Sequence, residues 1–509
     1  MYELEAKYSD KKILIISHGD PILLSHLVAA GTTPENIDTF AYPQPAAVTT
    51  LDFVPLPHND LYELDLHRPY IDDVVLVSEK GTELRRVKEV MDVWFDSGAM
   101  PFAQDHYPFE NKEWVEHGGY PADYISEAID QTRGWFYTLL AVGVLTKRGV
   151  PYKNVICLGH LLDKEGQKMS KSKGNVVEPF AAMDQWGADT LRYWMYSVNQ
   201  PGDSKNFDEK TVKESARVLA WLENSAKFYE LFADGKQQGQ EQVIDQWMQE
   251  RTNETVEKVT KALDSYKLYE ATRTLGELFE DLSQWYVRRI RDRAREGDAA
   301  ALATLKETLY TSSKLLAPFA PFLAESVFQL VRSSTDAESV HLTEWPTVAK
   351  KWNPFKKAST LTADMRLVRT YASEGMKLRQ EAGMKVRQPL ASITIPTELS
   401  ADLRSLLAEE LNVKTVLTGD ALKLDTALSP ELVREGDVRE FARALADARK
   451  ERDLSPKDVV ALCVDEKAKS VLEHEQLSGV SALTFGTPST QSYSVEMSIG
   501  SIAFSFDAS

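Results

Sequence analysis

The chain has 509 residues, of which 43% are hydrophobic and 27% charged, and its formal net charge is −18. This length is too great for one hydrophobic core and predicts three or four folded units of ordinary soluble composition. No stretch approaches the roughly 20 apolar residues of a membrane span, and the first residues lack the basic and apolar regions of a secretory signal. We therefore expect a cytoplasmic protein without a membrane partner.

The two cysteines, Cys157 and Cys463, are far apart and lack Cys-x-x-Cys spacing. The sequence therefore predicts neither a disulfide framework nor a thiolate zinc site, which fits a reducing cytoplasm. The net acidity argues against a nucleic-acid partner, but RNA binding depends on local basic patches rather than on total charge. Two such patches occur, at Arg288–Arg295 and at residues 377–387, and each could equally be a solvated helix face.

The first 200 residues alternate strands, loops and helices, the order typical of α/β architecture. The expected elements are a strand and helix over 11–31, a short strand within 42–58, strands at 74–77 and 87–90 joined by a turn at Lys80-Gly81, a mostly helical stretch over 124–145, a short buried strand at 154–158, and a helix over 188–198.

From residue 209 to 332 the pattern changes to successive amphipathic helices, interrupted by the prolines Pro318 and Pro321. Residues 345–360 are expected to be a linker. The remainder predicts a small α+β domain with helices over 363–380 and 429–452 and strands over 392–395, 459–464 and 492–506.

A polar loop follows the strand expected at 154–158. It reads Lys168-Met169-Ser170-Lys171-Ser172, here called the lysine-serine loop, and continues as Lys173-Gly174-Asn175. Two lysines three residues apart, with one serine between them and another just after, can reach a triphosphate, and loop amides add further donors. Taken without context, the same residues could be a basic surface loop.

Two tryptophan-containing segments precede the loop. One is residues 91–98, Met-Asp-Val-Trp-Phe-Asp-Ser-Gly, and the other is residues 125–137, Ile-Ser-Glu-Ala-Ile-Asp-Gln-Thr-Arg-Gly-Trp-Phe-Tyr. On a helix, Glu127 and Asp130 would share a face and could accept hydrogen bonds from ribose hydroxyls or an ammonium group. The alternatives are a buried aromatic pair and a solvated carboxylate pair.

Together these segments resemble the isoleucyl-tRNA synthetases, a group of class I aminoacyl-tRNA synthetases. The lysine-serine loop is similar to the Lys-Met-Ser-Lys-Ser signature of that class, and Asp-Val-Trp-Phe-Asp-Ser-Gly is similar to a motif of its isoleucine members. The second segment departs slightly, because Thr132 stands where family members commonly have His. The resemblance covers roughly residues 62–509 and implies an isoleucine–tRNA ligase acting on isoleucine, isoleucine tRNA and ATP with Mg2+.

The resemblance also implies roles for individual residues. Lys168 and Lys171 would be catalytic, binding the β- and γ-phosphates of ATP while the amino-acid carboxylate attacks the α-phosphorus. Ser170 and Ser172 would add hydrogen bonds to ATP. The residues that would hold the aminoacyl-adenylate are Trp94, Glu127, Asp130, Gln131 and Trp135, with the two tryptophans walling the aliphatic pocket.

In the helical region, the segment from Trp285 to Arg291 resembles the Trp-Tyr-x-Arg-Arg segment of the family's anticodon-binding domain. The implied tRNA-binding residues are Trp285, Arg288, Arg289 and Arg291. Aromatic rings beside guanidinium groups suit base stacking and phosphate contacts. The alternative is that Trp285 packs between helices while the arginines face water.

The resemblance predicts a fold in consecutive parts, the second half of a Rossmann-type catalytic domain, a helical anticodon-binding domain and a small α+β domain. The expected limits are 1–58 for a remnant of an inserted histidine-phosphatase-like domain, 59–90 for the return from an editing insertion, 91–205 for the catalytic half with the lysine-serine loop, 206–350 for the anticodon-binding domain and 360–509 for the C-terminal domain.

No His-x-Gly-His motif, the second nucleotide-binding signature of the class, is present, and the resemblance implies that most of the family's editing domain is missing as well. The sequence therefore predicts a fragment, or one piece of a split enzyme whose partner is a separate N-terminal half, with no proofreading of its own. A non-catalytic tRNA-binding module is the alternative. A phosphatase built around His18 is a second alternative, although the early Arg-His-Gly of that superfamily is absent.

Overall fold

The computed structural model describes the chain except for residues 31–33, 54–55, 88–92, 234–237, 349–358, 455–457, 490–491 and 509. It forms two compact units, one of residues 1–112 and 135–149 and the other of residues 113–134 and 150–509. Across the described ranges, no helix has both the length and the apolar character that crossing a membrane requires.

The first unit is mainly helical. Its helices are α1 (Tyr2–Lys7), α2 (Gly19–Ala29), α3 (Val93–Gly98), α4 (Met100–Ala103) and α6 (Trp135–Leu145), with α5 (Lys112–Trp114) at its sequence limit, and its strands are β1 (Val75–Val77) and β2 (Glu83–Arg85). Helices α3 and α6 pack closely where they meet at Gly98. An added Cβ on this glycine would lie 2.7 Å from the carbonyl oxygen of Thr138.

Strands were predicted incorrectly in this unit. Residues 11–17 form no strand, and Leu14 and Ile16 are 73% and 88% exposed, because no described strand pairs with this apolar run. Residues 42–58 contain, where described, only an isolated bridge from His58 to Leu64. The turn at Gly81 (φ 76°) is confirmed.

That turn places the second strand earlier than expected. Val77 pairs with Glu83, and Ser78 N donates to Thr82 O at 2.9 Å, so the turn is short and β2 occupies 83–85 rather than 87–90. Residues 88–90 of the expected strand lie outside the described residues.

The second unit begins with parallel strand pairs. Strand β3 (Ile125–Ala128) pairs with β4 (Val155–Leu158), and β5 (Leu161–Leu162) pairs with β6 (Lys205–Asn206). The expected helix over 124–145 is therefore wrong in its first part, since pairing with β4 holds residues 125–128 extended and a 3-10 helix follows at Ile129–Arg133. Helices α7 (Pro179–Trp186) and α8 (Ala188–Ser197) follow, and α8 confirms the helix predicted over 188–198.

A helical bundle follows, as predicted. Its helices are α9 (Glu209–Phe232), α10 (Val243–Asp264), α11 (Leu268–Glu280), α12 (Arg288–Arg295), α13 (Ala299–Leu316) and α14 (Pro321–Val331), with a π-helix at Asp281–Val287 between α11 and α12. The break expected at the prolines is confirmed, because α13 ends at Leu316 and Pro321 is the first residue of α14.

The core of the bundle continues into the next part of the chain. Helices α15 (Leu361–Glu381) and α16 (Ala401–Leu411) pack with a sheet in the order β8-β7-β9, formed by Val413–Thr418, Leu390–Ile395 and Lys423–Leu424. One contiguous cluster of buried side chains runs from Tyr193 to Leu424. The bundle and this sheet are therefore packed as one body.

The last part has a separate core. Helix α17 (Pro430–Glu451) and the short α18 (Lys469–Leu472) accompany a sheet in the order β11-β10-β13-β12, whose strands are Val480–Phe485, Val460–Val464, Gly500–Ala508 and Tyr493–Met497. The helices and strands predicted for the α+β region are present, except that the single strand expected over 492–506 is an antiparallel pair, β12 and β13. The elements α16, α18, β8, β9 and β11 were not predicted.

Candidate active site

The lysine-serine loop is supported by a short parallel strand pair. Lys205 N donates to His160 O at 2.8 Å and Phe207 N donates to Leu162 O at 2.8 Å, so β5 is held against β6 just before the loop. Gly159 is required here because a Cβ at this position would lie 2.4 Å from the carbonyl of Asp203. The loop therefore starts from a fixed backbone position.

The loop itself folds back on that strand. Lys168 forms an antiparallel bridge with Leu162, residues Lys171–Lys173 form a 3-10 helix, and Gly174 ends it in the left-handed region at φ 66°. The hydroxyl groups of Ser170 and Ser172 are 3.3 Å apart. The two serines therefore lie on the same side of the loop.

Lys168 and Lys171 are exposed, whereas Ser170 is half-buried. Within the described part of the chain, no carboxylate lies within 4.0 Å of either ammonium group, although neighbouring Lys164 pairs with Glu165 at 3.4 Å. Two unpaired cations beside two hydroxyl groups suit the binding of a polyphosphate. The residue types and their exposure thus fit the phosphates of ATP.

The carboxyl ends of β3 and β4 lie at one edge of their sheet, because Ala128 pairs in parallel with Leu158. Residues after β3 carry Asp130 and Gln131 in a 3-10 helix, and residues after β4 lead to the lysine-serine loop. Ligands of open parallel sheets bind outside this edge. Both connecting segments therefore leave this sheet at the edge where ligands of such sheets bind.

The expectation that Glu127 and Asp130 share a helix face is wrong. Glu127 lies on β3, where its Oε2 accepts from Ala128 N at 3.1 Å, and Asp130 lies in the following 3-10 helix. Both carboxylates are exposed. Glu127 therefore lies near the carboxyl end of β3, and Asp130 lies in the 3-10 helix that directly follows this strand.

Trp94 and Trp135 belong to the first unit, on the packed helices α3 and α6. Trp135 Nε1 donates to Ser97 O at 3.0 Å, which ties the second tryptophan to the Ser-Gly end of the first motif. Trp94 is 46% exposed. Met91 and Asp92 of the first motif lie outside the described residues.

Three of the four predicted tRNA-binding residues, Trp285, Arg288 and Arg289, belong to a cation cluster on the bundle. The guanidinium groups of Arg288, Arg289 and Arg369 lie 5.7, 5.6 and 5.5 Å from the ring centroid of Trp285. Arg288 and Arg289 also pair with Glu410 of α16 at 2.7 and 2.8 Å. The sequence predicted either contact with RNA or exposure to water for these two arginines. An ion pair with Glu410 was not predicted.

Arg291 differs from the other two arginines because no carboxylate of the described residues lies within 4.0 Å of its guanidinium, although Arg288 is exposed on α12 as well. In the second basic patch, Arg379 is 1% exposed and donates to main-chain carbonyls, including Leu411 O at 3.0 Å and Lys385 O at 2.8 Å. That arginine is therefore an interior residue, and the patch is less basic on its surface than the sequence indicated.

The remaining candidates from the sequence are His18 and the two cysteines. His18 is exposed and precedes α2. Cys157 and Cys463 are free thiols, and no group of three or more metal-ligating side chains occurs among the described residues.

Sequence reasoning missed Asp163 and Asn175, which flank the lysine-serine loop. Asn175 Nδ2 donates to Asp163 Oδ2 at 2.7 Å. Turn chemistry offered a signal, because Asp163 begins an Asp-x-x-Gly turn and Asn is common where side chains bond to nearby main chain.

Comparison with known proteins agrees with the geometry. Residues 58–208 match the family of class I tRNA synthetases (I, L, M and V), and residues 245–395 match the anticodon-binding domain of tRNA ligases. The isoleucine–tRNA ligase of Deinococcus radiodurans is 45% identical over 404 residues, covering 74% of this chain and 37% of the relative.

Two further relatives have the same name. The isoleucine–tRNA ligase of Dehalococcoides mccartyi (strain CBDB1) is 40% identical, covering 78% of this chain and 43% of the relative. Isoleucine–tRNA ligase 2 of Bacillus cereus (strain ATCC 14579) is 43% identical, covering 69% of this chain and 35% of the relative. The chain thus spans about two fifths of the length of these relatives. It belongs to the isoleucine–tRNA ligase family of class I aminoacyl-tRNA synthetases.

Proposed function

We propose that this chain supplies the pyrophosphate-binding half of an isoleucine–tRNA ligase, which activates isoleucine with ATP and transfers it to isoleucine tRNA. The observation that carries the proposal is the exposure of Lys168 and Lys171, unpaired by carboxylates of the described chain, on a loop that follows a parallel strand. A loop held in this way offers positive charge to a leaving pyrophosphate without a covalent intermediate.

Each polar side chain of the loop fits a particular contact with ATP. Lys168 and Lys171 would bind the β- and γ-phosphates, and Ser170 and Ser172 would donate hydroxyl hydrogen bonds to phosphate oxygens. Mg2+ would enter with the nucleotide and neutralise phosphate charge. Positioning and charge stabilisation are thus the contributions of this loop.

The amino-acid side of the reaction rests on the family resemblance. Glu127, Asp130 and Gln131 would hold the aminoacyl-adenylate, and Trp94 and Trp135 would wall the aliphatic pocket. The strand-end position of Glu127 and the anchored indole of Trp135 support these roles. The match of residues 245–395 to an anticodon-binding domain supports tRNA as the partner of the bundle.

The proposal is tested by aminoacylation of isoleucine tRNA by the purified chain, with and without an added fragment of a relative that carries His-x-Gly-His. We expect charging only when both parts are present. In the same assay, Lys168→Ala and Lys171→Ala should each abolish most activity. Lys164→Ala is the matched control, because Lys164 is an exposed lysine of the same turn that pairs with Glu165.

Charging that is insensitive to Lys168→Ala and Lys171→Ala would contradict the proposed role of the loop. Absence of charging in the complemented mixture, together with retained tRNA binding, would favour the alternative of a tRNA-binding module without catalysis.

A further inference from the structure

The lysine-serine loop is closed by two side chains that flank it, Asp163 before and Asn175 after. Asp163 Oδ2 accepts from Asn175 Nδ2 at 2.7 Å. The same Nδ2 lies 3.3 Å from Lys168 O, and Asn175 Oδ1 accepts from Ser170 N at 2.9 Å. One amide therefore connects the start of the loop to its end.

Asp163 is also fixed from its other oxygen. Oδ1 accepts from Gln167 N at 2.7 Å and from Glu165 N at 3.1 Å, and Asp163 N donates to Gln167 O at 2.9 Å. Gly166 completes this turn at φ 78°. The carboxylate is thus held by neutral donors on both oxygens.

This arrangement has an electrostatic consequence for the nearby lysines. A carboxylate only five residues before Lys168 would compete with phosphate for the lysines of the loop if it formed an ion pair with one of them. Its lone pairs are instead used by one side-chain amide and two main-chain amides, so neither lysine is paired with it. The hydrogen bond from Asn175 and the two main-chain amides hold the pKa of Asp163 below its usual range, which keeps the carboxylate ionised.

We propose that Asp163 and Asn175 are a positioning pair that fixes the lysine-serine loop in the conformation presenting Lys168 and Lys171 to a polyphosphate. The inference rests on the phosphate-binding role proposed above. Neither residue of the pair needs to touch the phosphate itself.

An exchange of the two side chains gives a sharp test. In Asp163→Asn, two amide NH2 groups would face each other, and in Asn175→Asp two carboxylates would face each other. The double variant Asp163→Asn/Asn175→Asp restores one donor facing one acceptor with the original net charge. Asp184→Asn, on the exposed surface of α7, is the control for the loss of one negative charge.

The measurement is binding of inorganic pyrophosphate with Mg2+ to the full chain by titration calorimetry, with amide hydrogen exchange of residues 163–175 as a second readout. We expect each single variant to weaken binding about tenfold, the effect of losing one charge-assisted hydrogen bond, and to speed exchange at Gln167 and Ser170. The double variant should recover most of both, and Asp184→Asn should match the wild type. Unchanged circular dichroism would show that the global fold is intact.

Single variants that bind pyrophosphate like the wild type, or a double variant no better than the singles, would overturn the positioning role. The variant Lys168→Ala/Lys171→Ala separates this failure from failure of the proposed function. If the wild type and this variant bind pyrophosphate equally, the phosphate role of the loop is wrong. If only the lysine variant loses binding, the phosphate role stands and the positioning role fails.

Discussion

Glu410 accepts from Arg288 through both carboxylate oxygens, each at 2.7 Å, and its Oε2 also accepts from Arg289 at 2.8 Å. The side chains of Glu410 and Arg289 are 13% and 9% exposed. This carboxylate therefore joins α12 of the bundle to α16, and it balances guanidinium groups gathered around Trp285.

Replacement Glu410→Gln should destabilise the second unit by about 2–3 kcal/mol, because the nearly buried guanidinium of Arg289 loses the less exposed of its two carboxylate partners. Urea unfolding measures the change. Glu409→Gln is the matched control, because Glu409 pairs with Arg289 at 2.9 Å but is 63% exposed, and we expect it to cost less than about 1 kcal/mol. Equal effects of the two variants would contradict the interior role of Glu410.

Arg291 should contribute more to RNA binding than Arg288. Both are exposed on α12, but Arg288 pairs with Glu410, whereas Arg291 has no carboxylate within 4.0 Å among the described residues. We expect Arg291→Ala to weaken binding of isoleucine tRNA and to lower the slope of log affinity against log salt by about one. Arg288→Ala should mainly lower stability. Filter binding over a series of salt concentrations measures both, and a larger change in slope for Arg288→Ala would contradict the assignment.

Sequence reasoning named the candidate site residues but not their surroundings. The lysine-serine loop and the tryptophan motifs are short contiguous signals, and the helices of the bundle follow from apolar periodicity. Strand β3 was mistaken for helix because its extended form depends on pairing with β4, and a single segment carries no record of its neighbour.

Long-range partners explain the errors on charged residues. Arg289 and Glu410 are 121 positions apart, so an Arg-rich helix looks solvated until α16 is packed against it. Arg379 looked like part of a surface patch, because sequence composition does not reveal which cation of a run is turned inward. The apolar residues 13–16 were predicted to form a strand from their composition alone, but no described strand pairs with them.

Asp298 predicts a pH dependence of stability. It caps α13 by accepting from Ala300 N at 2.9 Å and Ala301 N at 3.1 Å, and it accepts from Arg293 Nε at 2.8 Å. Desolvation raises its pKa, but the hydrogen bonds from Arg293 and the two amides outweigh this and leave the pKa below its ordinary value.

Because the pKa is lowered in the folded state, the contribution of Asp298 is complete above its ordinary value of about 3.9 and is lost as pH falls through the folded pKa. Asp298→Asn keeps the cap but loses the charge. We expect it to be less stable than the wild type at about pH 7, with the difference shrinking below about pH 4. Urea unfolding of both proteins at the two pH values measures the difference in stability. A difference that grows as pH falls would contradict the proposed role of the Asp298 charge.

Arg379 should be the most sensitive basic residue of the C-terminal half, although it has no carboxylate partner among the described residues. Its guanidinium donates to the carbonyls of Leu411, Lys385, Val386 and Gln388, which fixes the loop after α15 against the end of α16. Each carbonyl left unpaired in the interior costs about 1–3 kcal/mol.

Arg379→Met should therefore destabilise the chain by more than about 3 kcal/mol. Lys377→Met, two residues earlier on α15, should change stability by less than about 0.5 kcal/mol, because Lys377 is 76% exposed and its nearest carboxylate, Glu381, is 3.9 Å away. Thermal unfolding of the two variants measures the difference. Equal melting temperatures would mean that Arg379 does not anchor this loop. Its guanidinium would then be solvated, like a residue of a surface patch.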